Sequence, residues 1–301
     1  MFDVALPEEA VGEIFLPQAA GELFNPHVQL IEGPLSQYLK ALIAVHVAPL
    51  PPTTLSIIPH DHAILTVHMG PRVDGFDCDD APGMSVRLTT LRDVRGTTHP
   101  PGNCLTLFAI LTPAGVNQLL HGQALDERAR LRAPLAAALG MATVRQLEDV
   151  LRMYVRVEDK LACLGGWLEQ RFLTPRGVSP QAQRTARATS RLMHEPMLPV
   201  SALAAQEHVS PRQLERDFRK WLLVSPKQFS QVVRVQHAAR LARRGWGLSR
   251  IAAETGYADQ AHMSRAVKAL TGLAPQRLLR GAPHPMARAF SVATRGGIVY
   301  I

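Results

Sequence analysis

The chain has 301 residues, 47% of them hydrophobic, and a formal net charge of +8. This composition excludes a disordered protein and suits about two domains. No apolar run reaches the ~18 residues of a membrane span, and the opening MFDVALPEEAVGEIF lacks the basic stretch of a secretory signal. Cys78, Cys104 and Cys163 stand apart with no C-x-x-C pair, so neither a disulfide framework nor a Cys-based zinc site is expected, and a cytoplasmic location is. The charge is unevenly placed. Residues 1–150 hold 9 Lys and Arg against 16 Asp and Glu, whereas residues 181–301 hold 19 against 6. A basic back half points to a polyanionic partner.

Residues from about 27 to 110 read as strands. HVQLIE, TTLSIIP, AILTVHM, MSVRLTTL and NCLTLFAIL are short, β-branched and separated by Pro, Gly and Asp. From Pro113 the period becomes helical. PAGVNQLLHG opens on Pro and closes on Gly, and DERARLRAPLAAALG follows. The next helical stretch, 142–173, carries an apolar stripe of Leu147, Val150, Leu151, Tyr154, Val155, Leu161 and Leu164. It is expected to hold a homodimer together. TPRGVSPQ (174–181), with two Pro and one Gly, reads as a linker, and the chain beyond it is helical.

His60, His62 and His68 share a face at a period of two, but no Glu follows at metal-site distance, so they are read as surface or pocket-lining residues. DGFDCDD (74–80) lacks the downstream Glu of a calcium loop and reads as an exposed turn; its four Asp disfavour a thiolate at Cys78. The chain has no G-x-S-x-G, P-loop or G-x-G-x-x-G motif. No catalytic residue, cofactor or metal is therefore assigned, and an enzyme is not expected.

The back half contains a repeat. LAAQEHVSPRQLERDFRKWLLVSPKQF (203–229) aligns with IAAETGYADQAHMSRAVKALTGLAPQRL (251–278). Leu203 and Ala204 match Ile251 and Ala252 at an offset of 48. Leu214, Arg216, Phe218, Pro226 and Phe229 match Met263, Arg265, Val267, Pro275 and Leu278 at 49. The extra residue falls in a turn, where it costs little; inside a helix it would rotate the apolar face away from the core. Each copy begins with a helix bearing a small pair, Ala204–Ala205 or Ala252–Ala253, suited to close helix approach. That helix ends where a left-handed residue is favoured, at His208 or Gly256. Ser210 caps the second helix with Pro211 at its first position, and Asp259 is the expected cap in copy two. With Leu214 and Phe218 inward, Arg212, Gln213, Glu215, Arg216 and Arg219 point outward. The corresponding set is Gln260, Ala261, His262, Ser264, Arg265 and Lys268. Arg and Gln on such a helix can reach base edges in a major groove. One helix from about Pro226 to Arg244, ended by Gly245, would join the two units at a spacing of successive major grooves.

Residues 190–281 resemble the DNA-binding domain of AraC/XylS-type transcription regulators, most specifically in GYADQAHMSRAVKALTGLAP. The resemblance places Arg212, Glu215 and Arg216 of the first recognition helix, and Gln260, His262 and Arg265 of the second, against double-stranded promoter DNA. The sequence departs from the family at Leu223, where Gly is usual, at Ala261, where Ser is, and at Met263 and Val267, where aromatic residues are. Residues 1–175 resemble the sensing or dimerisation half of some members, whose β part is often a cupin-like barrel. The expected architecture is thus an α+β front domain (1–175, a small β-barrel plus helices), a linker (176–189), an all-α double helix-turn-helix domain (190–281) and a tail (282–301). A small-molecule effector and RNA polymerase are further candidate partners. A DNA-binding scaffold whose front half binds another protein, and a DNA-repair enzyme with a related DNA-binding half, are the alternatives.

Overall fold

The computed structural model describes residues 24–47, 55–57, 59–70, 83–89, 96–98, 104–120, 133–174 and 179–276. The 74–80 turn with Cys78, and the 282–301 tail, lie outside the described residues.

The front half is built on β1 (Phe24–Leu30), β2 (Leu39–Val47), β4 (Ala63–Gly70), β5 (Gly83–Thr89), β7 (Cys104–Leu111) and the short β8 (Ala133–Pro134). They form one sheet in the order β1-β2-β7-β4-β5-β8, antiparallel at every pairing. β3 (Leu55–Ile57) and β6 (Gly96–Thr98) pair as a second sheet, also antiparallel. These two sheets stand where a small barrel is expected from the sequence.

Alternation along the strands sends Leu65 and Val67, Val86 and Leu88, and Leu107, Ala109 and Leu111 to one face. There they meet α1 (Pro113–Leu119), α2 (Leu135–Leu139), α3 (Met141–Met153) and α4 (Val157–Leu173). Thr112 starts α1, accepting from the Gly115 amide at 3.0 Å and donating to the Gln37 carbonyl at 2.6 Å. Only glycine fits at 115, because a Cβ there would lie 2.1 Å from the Tyr38 carbonyl oxygen.

The 142–173 stretch is two helices. Tyr154 and Arg156 are extended (ψ 141° and 143°), and the Lys160 ammonium donates to the Leu151 and Tyr154 carbonyls at 2.6 and 2.5 Å, closing α3. The stripe divides accordingly. Leu147, Leu151, Leu161 and Leu164 are buried on the chain's own sheet, while Tyr154 and Val155 point to solvent, Val155 92% exposed.

The back half consists of α5 (Pro180–His194), α6 (Val200–Gln206), α7 (Pro211–Leu222), α8 (Pro226–Arg243), α9 (Leu248–Glu254) and α10 (Gln260–Thr271). Val-Ser-Pro occurs at 178–180, 209–211 and 224–226. Ser179, Ser210 and Ser225 cap α5, α7 and α8, accepting from the amides of Ala182, Gln213 and Gln228 at 3.2, 3.1 and 3.2 Å. Most of the 176–189 stretch read as a linker is therefore the start of α5. Ala182, Ala188 and Leu192 of that helix pack with Leu203, Leu214 and Phe218 in one core. Val235, Ala238 and Ala239 of α8 do the same for Ile251, Met263 and Val267. Each unit is thus a scaffold helix followed by a helix-turn-helix: α5–α6–α7, then α8–α9–α10.

The two halves touch. Asn117 of α1 donates to the Ala182 carbonyl at 3.0 Å, and Gln236 of α8, fully buried, donates to the Pro59 carbonyl at 2.5 Å. Among the described residues, no helix is long and apolar enough to cross a membrane.

Candidate DNA-binding surface

The two helix-turn-helix units close their turns identically. His208 (φ 55°) and Gly256 (φ 71°) are both left-handed. Val209 donates to the Ala204 carbonyl at 3.0 Å, and Tyr257 to the Ala252 carbonyl at 2.9 Å. Ala204 and Ala252 are buried, but Ala205 and Ala253 are exposed, so only the first member of each small pair serves close packing. The recognition helices also end alike, at Leu223 (φ 61°) and Gly272 (φ 72°), whose amides donate to the Arg219 and Lys268 carbonyls.

Inward positions are as expected: Leu214, Phe218, Met263 and Val267 are fully buried. On α7, Arg212, Glu215, Arg216 and Arg219 are exposed and Gln213 is half-buried. Arg219 pairs with Glu215 at 3.2 Å one turn away, and both ends stay solvated. Arg216 donates to the Gln213 Oε1 at 2.5 Å, and Gln213 Nε2 donates to Asp217 at 2.7 Å.

On α10, Asp259 caps the helix, accepting from the His262 amide at 2.6 Å. Gln260 is exposed and accepts from the Ser249 hydroxyl at 3.0 Å, which ties it to α9. His262 sets its ring edge-on to Tyr257, centroids 5.4 Å apart. Ser264 is half-buried and donates back to the Gln260 carbonyl at 2.8 Å, which leaves its hydroxyl proton engaged. Arg265 and Lys268 are exposed and make no side-chain hydrogen bond or ion pair with any described residue.

The charges that brace the units escape a reading of helix periodicity alone. Arg184 of α5 binds Asp217 of α7 with two donors, at 2.9 and 2.6 Å. Arg187 and Arg191 of the same helix reach the buried Glu207 in the turn, at 2.8 and 3.5 Å. In unit two Arg234 of α8 donates to the Thr255 and Gly256 carbonyls at 2.9 and 2.7 Å, with its guanidinium 3.9 Å over the Tyr257 ring. Asp217 could have been singled out: a charge on the Leu214–Phe218 face needs a buried partner. Its partner lies on a helix 33 residues earlier, with no local signal.

Two buried or half-buried groups near α8, Asp61 of the front half and His237 of α8 itself, lie below their ordinary values. Burial pushes the Asp61 carboxyl up, but its pairing with His62 at 2.8 Å and the charge of Arg240 on α8 more than offset this, so it lies below its ordinary range. Burial, with the charges of Arg240 and Arg244, holds His237 of α8 below its ordinary value against the opposing pull of Glu254. His60, His62 and His68 are buried and hydrogen-bond separately, to the His62 carbonyl, Asp61 and Thr106.

The family model described as a helix-turn-helix domain matches residues 203–281. This segment is an AraC-type helix-turn-helix domain. With it, the chain carries a DNA-binding module of transcription regulation behind an antiparallel sheet and its helices. No curated protein matches the chain. Among solved structures, ToxT from Vibrio cholerae in its P21 form is 11% identical, covers 86% of this chain and 98% of its own, and superposes with a TM-score of 0.42. ToxT from Vibrio cholerae O395 is 10% identical over 86% and 98%, with a TM-score of 0.39. Unsaturated fatty acid bound ToxT from strain SCE256 is 13% identical over 85% and 94%, with a TM-score of 0.40.

Proposed function

We propose that the chain is a sequence-specific transcription regulator with no catalytic role, reading two successive major grooves of promoter DNA with α7 and α10. The observation that carries this is the duplicated three-helix unit: each copy offers an exposed arginine at the same helical position, Arg216 and Arg265, on a helix whose other face is fully buried. Both copies stand on long scaffold helices, and α8 runs directly from one recognition helix to the other unit, which fixes their spacing. On this reading the DNA-binding domain starts at Pro180, where α5 enters the core of unit one.

The front half is the sensing part. The sheet face turned away from the helices carries Ile43, Ile64 and Ile110 beside the buried polar side chains of Arg87, His68 and Thr106. A mixed face of this kind suits a small-molecule effector with a polar end. Bonds from Gln236 to Pro59 and from Asn117 to Ala182 give an effector there a route to both scaffold helices. A homodimer through the front half is proposed on the exposed Met153, Tyr154 and Val155.

Selection of binding sites from randomised DNA tests the core of the proposal. Arg216→Ala and Arg265→Ala should each relax the preference at one or two base pairs and cost about 1–3 kcal/mol on the selected site. The two affected positions should lie about 10 base pairs apart. Uniform losses with the wild-type preference intact would show that these arginines hold phosphate and not bases.

A further inference from the structure

The outward arginine of α7 stands at the end of a chain of side chains that begins on the scaffold helix. Arg184, its side chain 17% exposed, gives two donors to Oδ2 of Asp217, whose side chain is 4% exposed. The other carboxylate oxygen, Oδ1, accepts from Gln213 Nε2 at 2.7 Å. Oε1 of the same amide accepts from Arg216 at 2.5 Å. The direction of this chain is fixed by chemistry. A carboxylate only accepts and a guanidinium only donates, so an amide between them has one workable orientation. Reversing it would set two acceptors face to face at Asp217 and two donors at Arg216.

Among the described residues, unit two has no such chain. At the offset of 49, His262 stands for Gln213, Ala266 for Asp217 and Arg265 for Arg216. Ala266 cannot accept a hydrogen bond, the His262 ring lies against Tyr257, and Arg265 has no side-chain partner among the described residues. The scaffold arginine of unit two, Arg234, grips backbone carbonyls in the turn and not the recognition helix.

From this we infer that Asp217 and Arg184 are positioning residues for base recognition, and that unit one discriminates bases more sharply than unit two. The inference rests on the proposed reading of bases by Arg216. A side chain already held in place gives up less conformational freedom on binding and has fewer ways to satisfy a wrong base. Gln213, with both ends of its amide engaged, is a spacer in this chain and not a free reader of adenine.

The test is binding-site selection from randomised DNA with the full chain, comparing wild type, Arg216→Ala, Arg265→Ala, Asp217→Asn and Arg184→Met. Arg216→Ala and Arg265→Ala assign base pairs to unit one and unit two. Asp217→Asn and Arg184→Met should both flatten discrimination at the unit-one base pairs, by about 2- to 10-fold, the range of one ordering or hydrogen-bond contribution. Discrimination at the unit-two base pairs should stay as in wild type. Selected preference is a property of the molecules that bind, so a variant that is partly unfolded loses yield but not its preference. Arg184→Met, on the scaffold helix, serves where Asp217→Asn folds poorly. Wild-type sharpness at the unit-one base pairs in both variants, with Arg216→Ala flattening them, overturns the positioning role and leaves base reading intact. Wild-type sharpness in Arg216→Ala as well overturns both. Equal sharpness of the two units in the wild type overturns the asymmetry.

Discussion

His208 and Leu223 both hold left-handed backbone without being glycine, at φ 55° and 61°, yet replacing each with glycine should act in opposite directions. Left-handed geometry costs an L-residue about 1–2 kcal/mol, less for His than for most. His208 is exposed, so His208→Gly loses no burial. Against the relieved strain stands the greater freedom of glycine in the unfolded chain, about 0.5–1 kcal/mol. The net gain is about 0.5 kcal/mol, roughly a twofold change in a local opening equilibrium. Leu223 is 6% exposed, and Leu223→Gly removes a buried side chain at a cost of about 2–5 kcal/mol. The relieved strain offsets only part of this and the freedom of glycine in the unfolded chain adds about 0.5–1 kcal/mol, leaving a loss of about 1–4 kcal/mol. Hydrogen exchange of α6 and α7 amides in the full chain measures both changes locally, with α9 and α10 as the internal reference. Slower exchange in α6 and α7 is expected for His208→Gly and faster exchange for Leu223→Gly. Slower exchange in Leu223→Gly would refute the reasoning, since it would mean that strain outweighs burial. The glycine that the family usually carries there would then be the better residue for this chain too.

Acid should destabilise the fold. The Asp61 carboxyl lies below its ordinary value, so its contribution is present above the ordinary carboxylate range and is lost as pH falls through the lowered value. His237 also lies below its ordinary value, so the unfolded chain takes the proton first and stability falls as pH drops through the ordinary imidazole range. The denaturation midpoint should therefore drop between about pH 7.5 and about pH 5.5, and His237→Gln should reduce that drop; an unchanged pH dependence in His237→Gln would assign the effect elsewhere. The full chain should sediment as a dimer at tens of micromolar, roughly the range of modest interfaces, and Val155→Glu should yield monomer. A wild-type monomer under those conditions would remove the dimer proposal.

Much of the fold was legible because its signals are local. Caps, turns and apolar periodicity are written within a few residues of where they act. Ser210, Asp259, Gly256 and the inward Leu214, Phe218, Met263 and Val267 all stand where the pattern puts them. In two places local chemistry outweighs composition. The Pro and Gly of TPRGVSPQ suit a linker, yet Ser179-Pro180 is a helix start of the same kind as Ser210-Pro211 and Ser225-Pro226, so residues 180–189 are helical. The apolar stripe runs through 142–173 as a single helical stretch, yet Glu158 and Asp159 mark the first turn of a second helix.

The candidate site was legible to a different depth. Helical spacing separates outward from inward residues, which is enough to find Arg212, Glu215, Arg216, Arg219, Gln260, His262, Arg265 and Lys268 on the exposed faces. It treats those residues as equivalent, and packing makes them unequal. Glu215 and Arg219 hold each other, Gln260 is tied to Ser249, and Ser264 bonds to its own helix. Arg216 is anchored through Gln213 and Asp217 to Arg184, on a helix whose distance in sequence hides the link. Arg265, at the same place in the second unit, has no such anchor among the described residues. Both units close the turn with the same pair of amide bonds, although the second carries one more residue before its cap. The difference between them lies in two positions, Asp217 against Ala266 and Gln213 against His262, which decide whether the scaffold helix is linked to the outward arginine.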